Sequence, residues 1–397
     1  MGNKQLSFMT ACDIGDSLIA IDELGVGMFR IDKSDMSSHL IAELEDMGKR
    51  RNVYQASEQY NNEVFFFPVL ISVDYRVIVY HLDSQSVEYL DLRSVSDSVF
   101  GNYEPLYRMG NYIWMFPHQL TENLLKFRLD TRQIEVVPQW RDAVKDIELG
   151  YADPWAKAGN LIEIQGALYH TIKGTNLIIK IDLNDCNVES YEIPTEAKFY
   201  IRMNYDGEKF WIVEDDNQGV ISWNPIDQKV RRYPIMFPET EQKHISWAES
   251  ILCGKKYLWL IPQRDKLMIR MDYETGAYEC IEIFPKKFCV RKGNNRVFGM
   301  ILQNGVIADL YPLFGNLIVH LDLLRDKLLE DYEQILLPEE WSESDLERYQ
   351  LCHEFETDRI SFRAYTDMIS NSEQHTNSVE ECCSNGDNIW RQITDKN

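Results

Sequence analysis

Paired cysteines are missing from this chain. The eight that exist, Cys12, Cys186, Cys253, Cys280, Cys289, Cys352, Cys382 and Cys383, are scattered with no Cys-x-x-Cys spacing. That excludes a zinc knuckle and a thioredoxin-like site, and it leaves no dense disulfide framework of the kind that secreted small domains need. Reduced thiols in a cytoplasm are the expectation. No Gly-x-Ser-x-Gly elbow and no Walker loop occurs, so two common routes to catalysis are closed. Gly25-Val26-Gly27 lacks the third glycine of a dinucleotide fingerprint and reads as a hairpin turn. His353-Glu354 has Thr357 where a zincin needs its second histidine.

Long apolar runs are also missing. The longest, around Phe65 to Val73, is broken by Pro68 and Ser72, far short of the roughly 18 residues of a membrane helix. The amino terminus has no apolar core after a basic start, and Leu6 stands where a myristoylation motif needs Ser or Thr. No Asn-x-Ser/Thr sequon occurs, in keeping with an intracellular home. Basic charge is scarce. With 41 basic and 64 acidic residues the net charge is −23. That field repels phosphate backbones and anionic membranes, so neither nucleic acid nor a membrane is the expected partner.

What the chain has is a phrase that returns. Tyr112-Ile113-Trp114-Met115-Phe116-Pro117 precedes Leu125-Lys126-Phe127-Arg128-Leu129-Asp130, and Tyr257-Leu258-Trp259-Leu260-Ile261-Pro262 precedes Met268-Ile269-Arg270-Met271-Asp272. The closing acid serves as a ruler at Asp32, Asp83, Asp130, Asp182, Asp272 and Asp322, with Asn224 holding the place between the fourth and fifth. The steps are 51, 47, 52, 42, 48 and 50 residues. Within each unit apolar and polar residues alternate with period two, as in Ile179-Lys180-Ile181-Asp182, which is the mark of half-buried strands. An Asp at a strand end can accept backbone N–H bonds two residues on and fix the turn.

Four strand candidates fit each unit. In the third they run about Pro105–Arg108, Asn111–Phe116, Leu124–Asp130 and Gln133–Val137. In the sixth they run about 245–252, 256–261, 266–272 and 277–284. No helical crossovers of 10–15 residues intervene, so a parallel α/β fold has no place. Four strands repeated about seven times resemble a β-propeller, whose blades shelter one another's edges. The resemblance lies in period and strand grammar over residues 5–335. The Gly-His…Trp-Asp and double-Gly signatures of particular propeller repeats are absent, so no functional residue carries over.

The expected fold is therefore all-β, a propeller of seven blades over residues 1–337, or six if the first or last unit is degenerate. Val306 to Phe314 in the last unit reads as an apolar insertion without assignment. Residues 338–397 form an acidic extension with 14 acids and 5 bases. A capped helix start is expected over Glu339 to Tyr349, a second element over Ile360 to Ile369 and a polar stretch over Asn371 to Gly386. Phe65, Trp114, Trp211 and Trp259 recur in the second strands and are read as wedges between blades, since a repeated large residue at strand spacing is usually core. His81 and His320 share a slot one residue before the apolar that precedes Asp, and both are read as satisfied structural residues.

In propellers the first strands line a central channel. Here they carry Glu58, Arg108, Glu163, Arg202, Glu249 and Arg291. Blade equivalence predicts that these meet at one channel mouth, as a polar-ligand or acid–base site or as a self-neutralising ring. No catalytic residue, metal or cofactor is assigned. The expected function is a non-catalytic cytoplasmic binding or scaffold protein that takes a protein or a small polar ligand. The alternatives are a propeller enzyme of the lyase or hydrolase kind, with its site among Glu58, Glu163, Arg108 and Arg202, or a carbohydrate-binding propeller.

Overall fold

A computed structural model describes residues 8–341, apart from segments at 23–24, 46–53, 69–74, 97–98, 100–101, 148–160, 216–218, 237–247, 263–266, 285–297, 313–316, 330–331 and 339–340. The elements expected from Glu339 through Gly386, His353-Glu354 and Cys382-Cys383 lie outside the described residues. The described residues all belong to one compact unit.

Seven antiparallel sheets follow one another in chain order, each built as first, second, third and fourth strand. The chain folds as a seven-bladed β-propeller. Blade 1 spans Phe8 to Glu43, blade 2 Tyr54 to Asp91, blade 3 Tyr103 to Val137 and blade 4 Ile162 to Glu192. Blade 5 spans Phe199 to Pro234, blade 6 Ala248 to Glu282 and blade 7 Phe298 to Gln334. First strands of neighbouring blades touch at the 1–2, 4–5, 5–6 and 7–1 seams, so they are the innermost strands of a closed ring. The stretch around Val306 is no insertion. Ile307–Pro312 is the second strand of blade 7, paired on both sides. Asp309 interrupts the apolar run that marks the other second strands, which is what hid it.

Each second strand is buried on both faces, and alternate residues serve different seams. In Phe210–Glu214 of blade 5, Phe210 and Ile212 pack toward blade 4, while Trp211 and Val213 pack toward blade 6. In Tyr112–Pro117, Ile113 and Met115 face blade 2, whereas Trp114 and Phe116 face blade 4. Seven apolar clusters result, one per seam. Phe65, Trp114, Trp211 and Trp259 are all buried and face the following blade. They are the wedges expected, and none offers an exposed ring.

The turn after each third strand repeats one geometry. Five units carry an Asp or Asn at the strand end whose side chain accepts the backbone N–H two residues on: Asp32 from Ser34 at 2.8 Å, Asp182 from Asn184 at 2.8 Å, Asn224 from Ile226 at 2.8 Å, Asp272 from Glu274 at 3.0 Å and Asp322 from Leu324 at 3.0 Å. A left-handed residue follows four positions later, at Met36, Cys186, Gln228, Gly276 and Asp326. In blades 2 and 3 the left-handed residues are Gln85 and Arg132. The equivalent strand ends are therefore His81 and Arg128, not Asp83 and Asp130, as the pairs Glu63↔His81 and Tyr112↔Arg128 show. His81 is thus two residues away from the place of His320, which lies two residues before Asp322.

The left-handed residue often reaches back to the preceding blade. Asp326 of blade 7 accepts from the Lys256 N–H (2.7 Å) and the Trp259 Nε1–H (3.2 Å) of blade 6. Arg132 of blade 3 grips Glu63 and Glu88 of blade 2. Met36 of blade 1 packs with Tyr311 and Ile318 of blade 7.

The ring closes by a clasp rather than by an exchanged strand. After the short outer strand Lys327–Leu328, the chain returns as Glu333–Gln334 to pair with the third strand of blade 7. Leu336 then bridges to blade 1, donating its N–H to Met36 O (2.7 Å) and accepting from the Ser38 N–H (2.9 Å) and Oγ–H (2.6 Å). Ile335 is buried in the same seam, and Trp341 rests edge-on against Phe29 at 5.5 Å.

Candidate functional site

Register fixes how far along the channel each candidate residue sits. The second-strand residues Phe65, Trp114, Tyr169 and Trp211 lie at one level, opposite Glu58, Tyr107, Ile162 and Asn204. Glu58 is at that level, and Arg108 and Glu163 are one residue nearer the first hairpin. These three come together at the hairpin end. Arg202 lies three residues further down its strand than Arg108, about 10 Å away along the axis at ~3.3 Å per residue. Glu249, at the start of Ala248–Cys253, belongs to that same far end by its backbone, and its side chain is outside the described residues. Arg291 lies outside them altogether. Of the five that can be placed, Glu58, Arg108 and Glu163 thus stand at one end and Arg202 and Glu249 at the other, because their register positions on the first strands differ.

The hairpin-end residues are tied to each other. The Arg108 guanidinium pairs with Glu58 (3.3 Å) and donates to the carbonyl oxygens of Gln59 and Gly110. Tyr107 donates to Glu163 across the blade 3–4 seam at 2.6 Å. Burial raises the pKa of Glu58, and the charge of Arg108 works against it. Burial, with Glu163 as acceptor, lifts the Tyr107 phenol well above its ordinary range, so it stays a donor. Cys12 sits beside this group. Burial first, then the charges of Glu58 and Asp13, push its thiol up to about 12. A thiol so protonated is no nucleophile at neutral pH.

Radially outward at the same end, a cleft of about 630 Å³ opens between blades 2 and 3. Its wall holds a compact charge cluster. His81 bridges two carboxylates, with Nδ1 3.1 Å from Glu63 and Nε2 3.1 Å from Glu88. Arg132 chelates the same pair at 2.9 and 2.6 Å. Burial tends to raise the Glu88 pKa, but the hydrogen bonds from Arg132 and His81 outweigh it and hold it low. Asp83 accepts from the Asn62 side chain (2.8 Å), and Asp130 pairs with Arg128 (2.8 Å). Four carboxylates face two guanidiniums and one imidazole, and both Asp83 and Asp130 lie exposed at the rim. Among the described residues no group of three or more His, Cys, Asp or Glu is placed to hold a metal ion.

Sequence reasoning singled out none of Glu63, Glu88 and Arg132, and it gave His81 a purely structural role. The cluster joins two blades through residues up to 69 positions apart. The available signal is the turn slot: a left-handed Arg where other blades place Met, Cys or Gly.

No family model matches this chain, and no curated protein does. Solved structures match in fold. The extracellular domain of BT4673 from B. thetaiotaomicron is 11% identical, with a TM-score of 0.53 over 81% of this chain. The match takes in only 38% of that longer domain. A catalytically inactive virginiamycin B lyase from Staphylococcus aureus, solved with quinupristin, is 12% identical over 79% of this chain and 94% of its own, with a TM-score of 0.53. YCF48 bound to D1 peptide is 8% identical over 80% and 92%, with a TM-score of 0.54. At such identities the likeness is one of fold alone.

Proposed function

We propose that this propeller is a non-catalytic binding protein, and that its hairpin-end face, centred on the blade 2–3 cleft, receives a cationic segment of a protein partner. The observation that carries the reading is the carboxylate surplus around that cleft, with Asp83 and Asp130 exposed at its rim. A Lys or Arg side chain entering there meets acceptors already held in place by Asn62 and Arg128. The net charge of −23 draws such a partner in from a distance. The structural neighbour YCF48, seen with a peptide bound, lends the peptide reading support by fold. All four described cysteines are free thiols, which favours a cytoplasmic setting.

The test is titration of the full chain with an Arg/Lys-rich peptide and its citrulline/norleucine counterpart, at low and high salt. The basic peptide should bind, salt should weaken it, and Asp83→Asn with Asp130→Asn should reduce affinity about tenfold, at roughly 0.5–1 kcal/mol per rim charge. Equal binding of both peptides, or indifference to the double substitution, overturns the reading.

A second reading, an acid–base site at the channel rim, draws on one observation: the raised pKa of the half-buried Glu58. Its acid is engaged by Arg108, which is why the binding reading is preferred. Among the described residues no first strand carries a histidine. Turnover of a lactone or ester panel that vanishes in Glu58→Gln would favour the enzyme.

A further inference from the structure

Ring closure depends on a short clasp, and one ionisable side chain sits beneath it. His320 lies on the third strand of blade 7, facing blade 1 along with Ile318. Its Nδ1 is 2.7 Å from the Asp309 carboxylate on the neighbouring second strand. Its Nε2 is 3.7 Å from Glu333. Glu333 belongs to the returning strand that pairs with Leu317–Ile318 just before the chain crosses to blade 1.

We propose that closure of this propeller is proton-linked: imidazolium at His320 holds Glu333 and tightens the seam between blades 7 and 1, and loss of that proton releases the clasp.

The charges are arranged for it. Asp309 faces the ring from the second strand, and Glu333 faces it from the clasp. Tyr311 lies in the same seam, its phenol raised by burial and by Asp309, Glu333 and Asp13 of blade 1. The imidazole thus meets carboxylates from two elements, while Asp13 of blade 1, which is paired with Lys33, acts on Tyr311 beside it. The 3.7 Å contact to Glu333 is too long for a good hydrogen bond, so it acts as a charge pair and exists only while the ring is cationic. The side chain of His320 is only 14% exposed, which limits screening of that pair. The hydrogen bond from Asp309 raises the imidazole pKa, burial opposes it, and the charges of Asp309 and Glu333 add to the rise. A raised folded-state pKa gives stability that is full below the unfolded value of 6.5 and is lost as pH climbs through the folded value.

Beside Glu333 the clasp has Leu336, with three hydrogen bonds to blade 1, the buried Ile335, and Trp341 against Phe29, while the outer strand next to it is two residues long. A change in the energy of Glu333 acts on the pairs Leu317↔Gln334 and Ile318↔Glu333 that lead the chain into those contacts.

Hydrogen exchange read by mass spectrometry on the full chain tests this at about pH 6 and about pH 8.5, either side of an imidazole's range. After correction for intrinsic rates, protection of peptides covering 333–341 and Met36–Ser38 should fall several-fold at the higher pH. The limit is tenfold for each unit by which the His320 pKa exceeds its ordinary value. Peptides covering Phe210–Glu214 of blade 5 should not change. His320→Gln should abolish the pH dependence of the clasp, and Glu333→Gln should reduce it. Glu333 is half-exposed, so that variant should fold even if the first does not. Equal response of clasp and blade 5, or an unchanged pH response in either variant, overturns the proposal.

Discussion

Asp326 offers the sharpest test of how the blades are latched. Its side chain is buried, and each carboxylate oxygen has one donor from the preceding blade, the Lys256 N–H at 2.7 Å and the Trp259 Nε1–H at 3.2 Å. Hydrogen bonds to a charged group contribute about 1.5–3 kcal/mol each, and leaving the donors buried without an acceptor forfeits that. The backbone at Asp326 is left-handed, with φ of 53°, which costs a residue such as Ala about 1 kcal/mol more than Gly. Asp326→Ala should therefore lose about 4 kcal/mol and Asp326→Gly about 3. Asp326→Asn, which keeps one acceptor, should lose about 2. Gly254 supplies an independent route to the same contact, because a Cβ there would stand 1.8 Å from Asp326 Oδ1. Gly254→Ala should displace the carboxylate, and the double variant with Asp326→Ala should be far from additive. Urea unfolding followed by tryptophan fluorescence measures all five. A loss under about 1 kcal/mol for Asp326→Ala, or a Gly variant less stable than the Ala variant, refutes the latch.

The wedges should be costlier still: Trp114→Ala, in the blade 3–4 seam, should lose about 3–5 kcal/mol in the same assay. His170 sets an acid limit. It is wholly buried between Phe116 and Trp140, and burial lowers its pKa from 6.5 to about 4 despite the Thr171 carbonyl. The unfolded chain takes the proton first, so stability should fall as pH drops from 6.5 toward 4, by up to about 3 kcal/mol. His170→Leu should flatten that acid limb of the melting-temperature profile while leaving the alkaline limb, which belongs to His320. At the cleft, Arg132→Met should weaken the blade 2–3 seam by about 1–3 kcal/mol, because Glu63 and Glu88 lose their shared guanidinium, and denaturant midpoints will show it.

The repeat was legible because a second strand buried on both faces cannot hide. Tyr112–Pro117 and Tyr257–Pro262 read as unbroken apolar runs, and the Asp or Asn closing five of the turns has a hydrogen-bonding duty that any sequence reader can assign. The ruler slipped by two residues in blades 2 and 3 for a physical reason. There the strand-end slot holds His81 or Arg128, whose side chains bind carboxylates instead of backbone N–H groups. A nearby Asp then looks like the missing one. Counting alternation back from the second strand would have caught it, since Glu63 and Tyr112 fix the partner.

The site was less legible because height along a channel is set by register, and register is a pairing between strands rather than a property of one. Arg108 and Arg202 look alike in sequence, each inside an inner strand, yet they stand about 10 Å apart along the axis. The same geometry explains where function can reside at all. Every apolar residue of a second strand such as Phe210–Glu214 is committed to one seam or the next, so a change there is felt as stability. The first strands keep their channel-facing side chains, as in Glu58–Arg108, and the hairpin ends keep theirs: Glu63 opens the second strand of blade 2 and His81 closes the third, Glu88 follows on its fourth, and Arg132 reaches them from a turn of blade 3. Substitutions that shift binding without shifting the unfolding midpoint should therefore map to hairpin tips, with Asp83 and Asp130 first among them. A binding-only substitution inside a second strand would contradict that division.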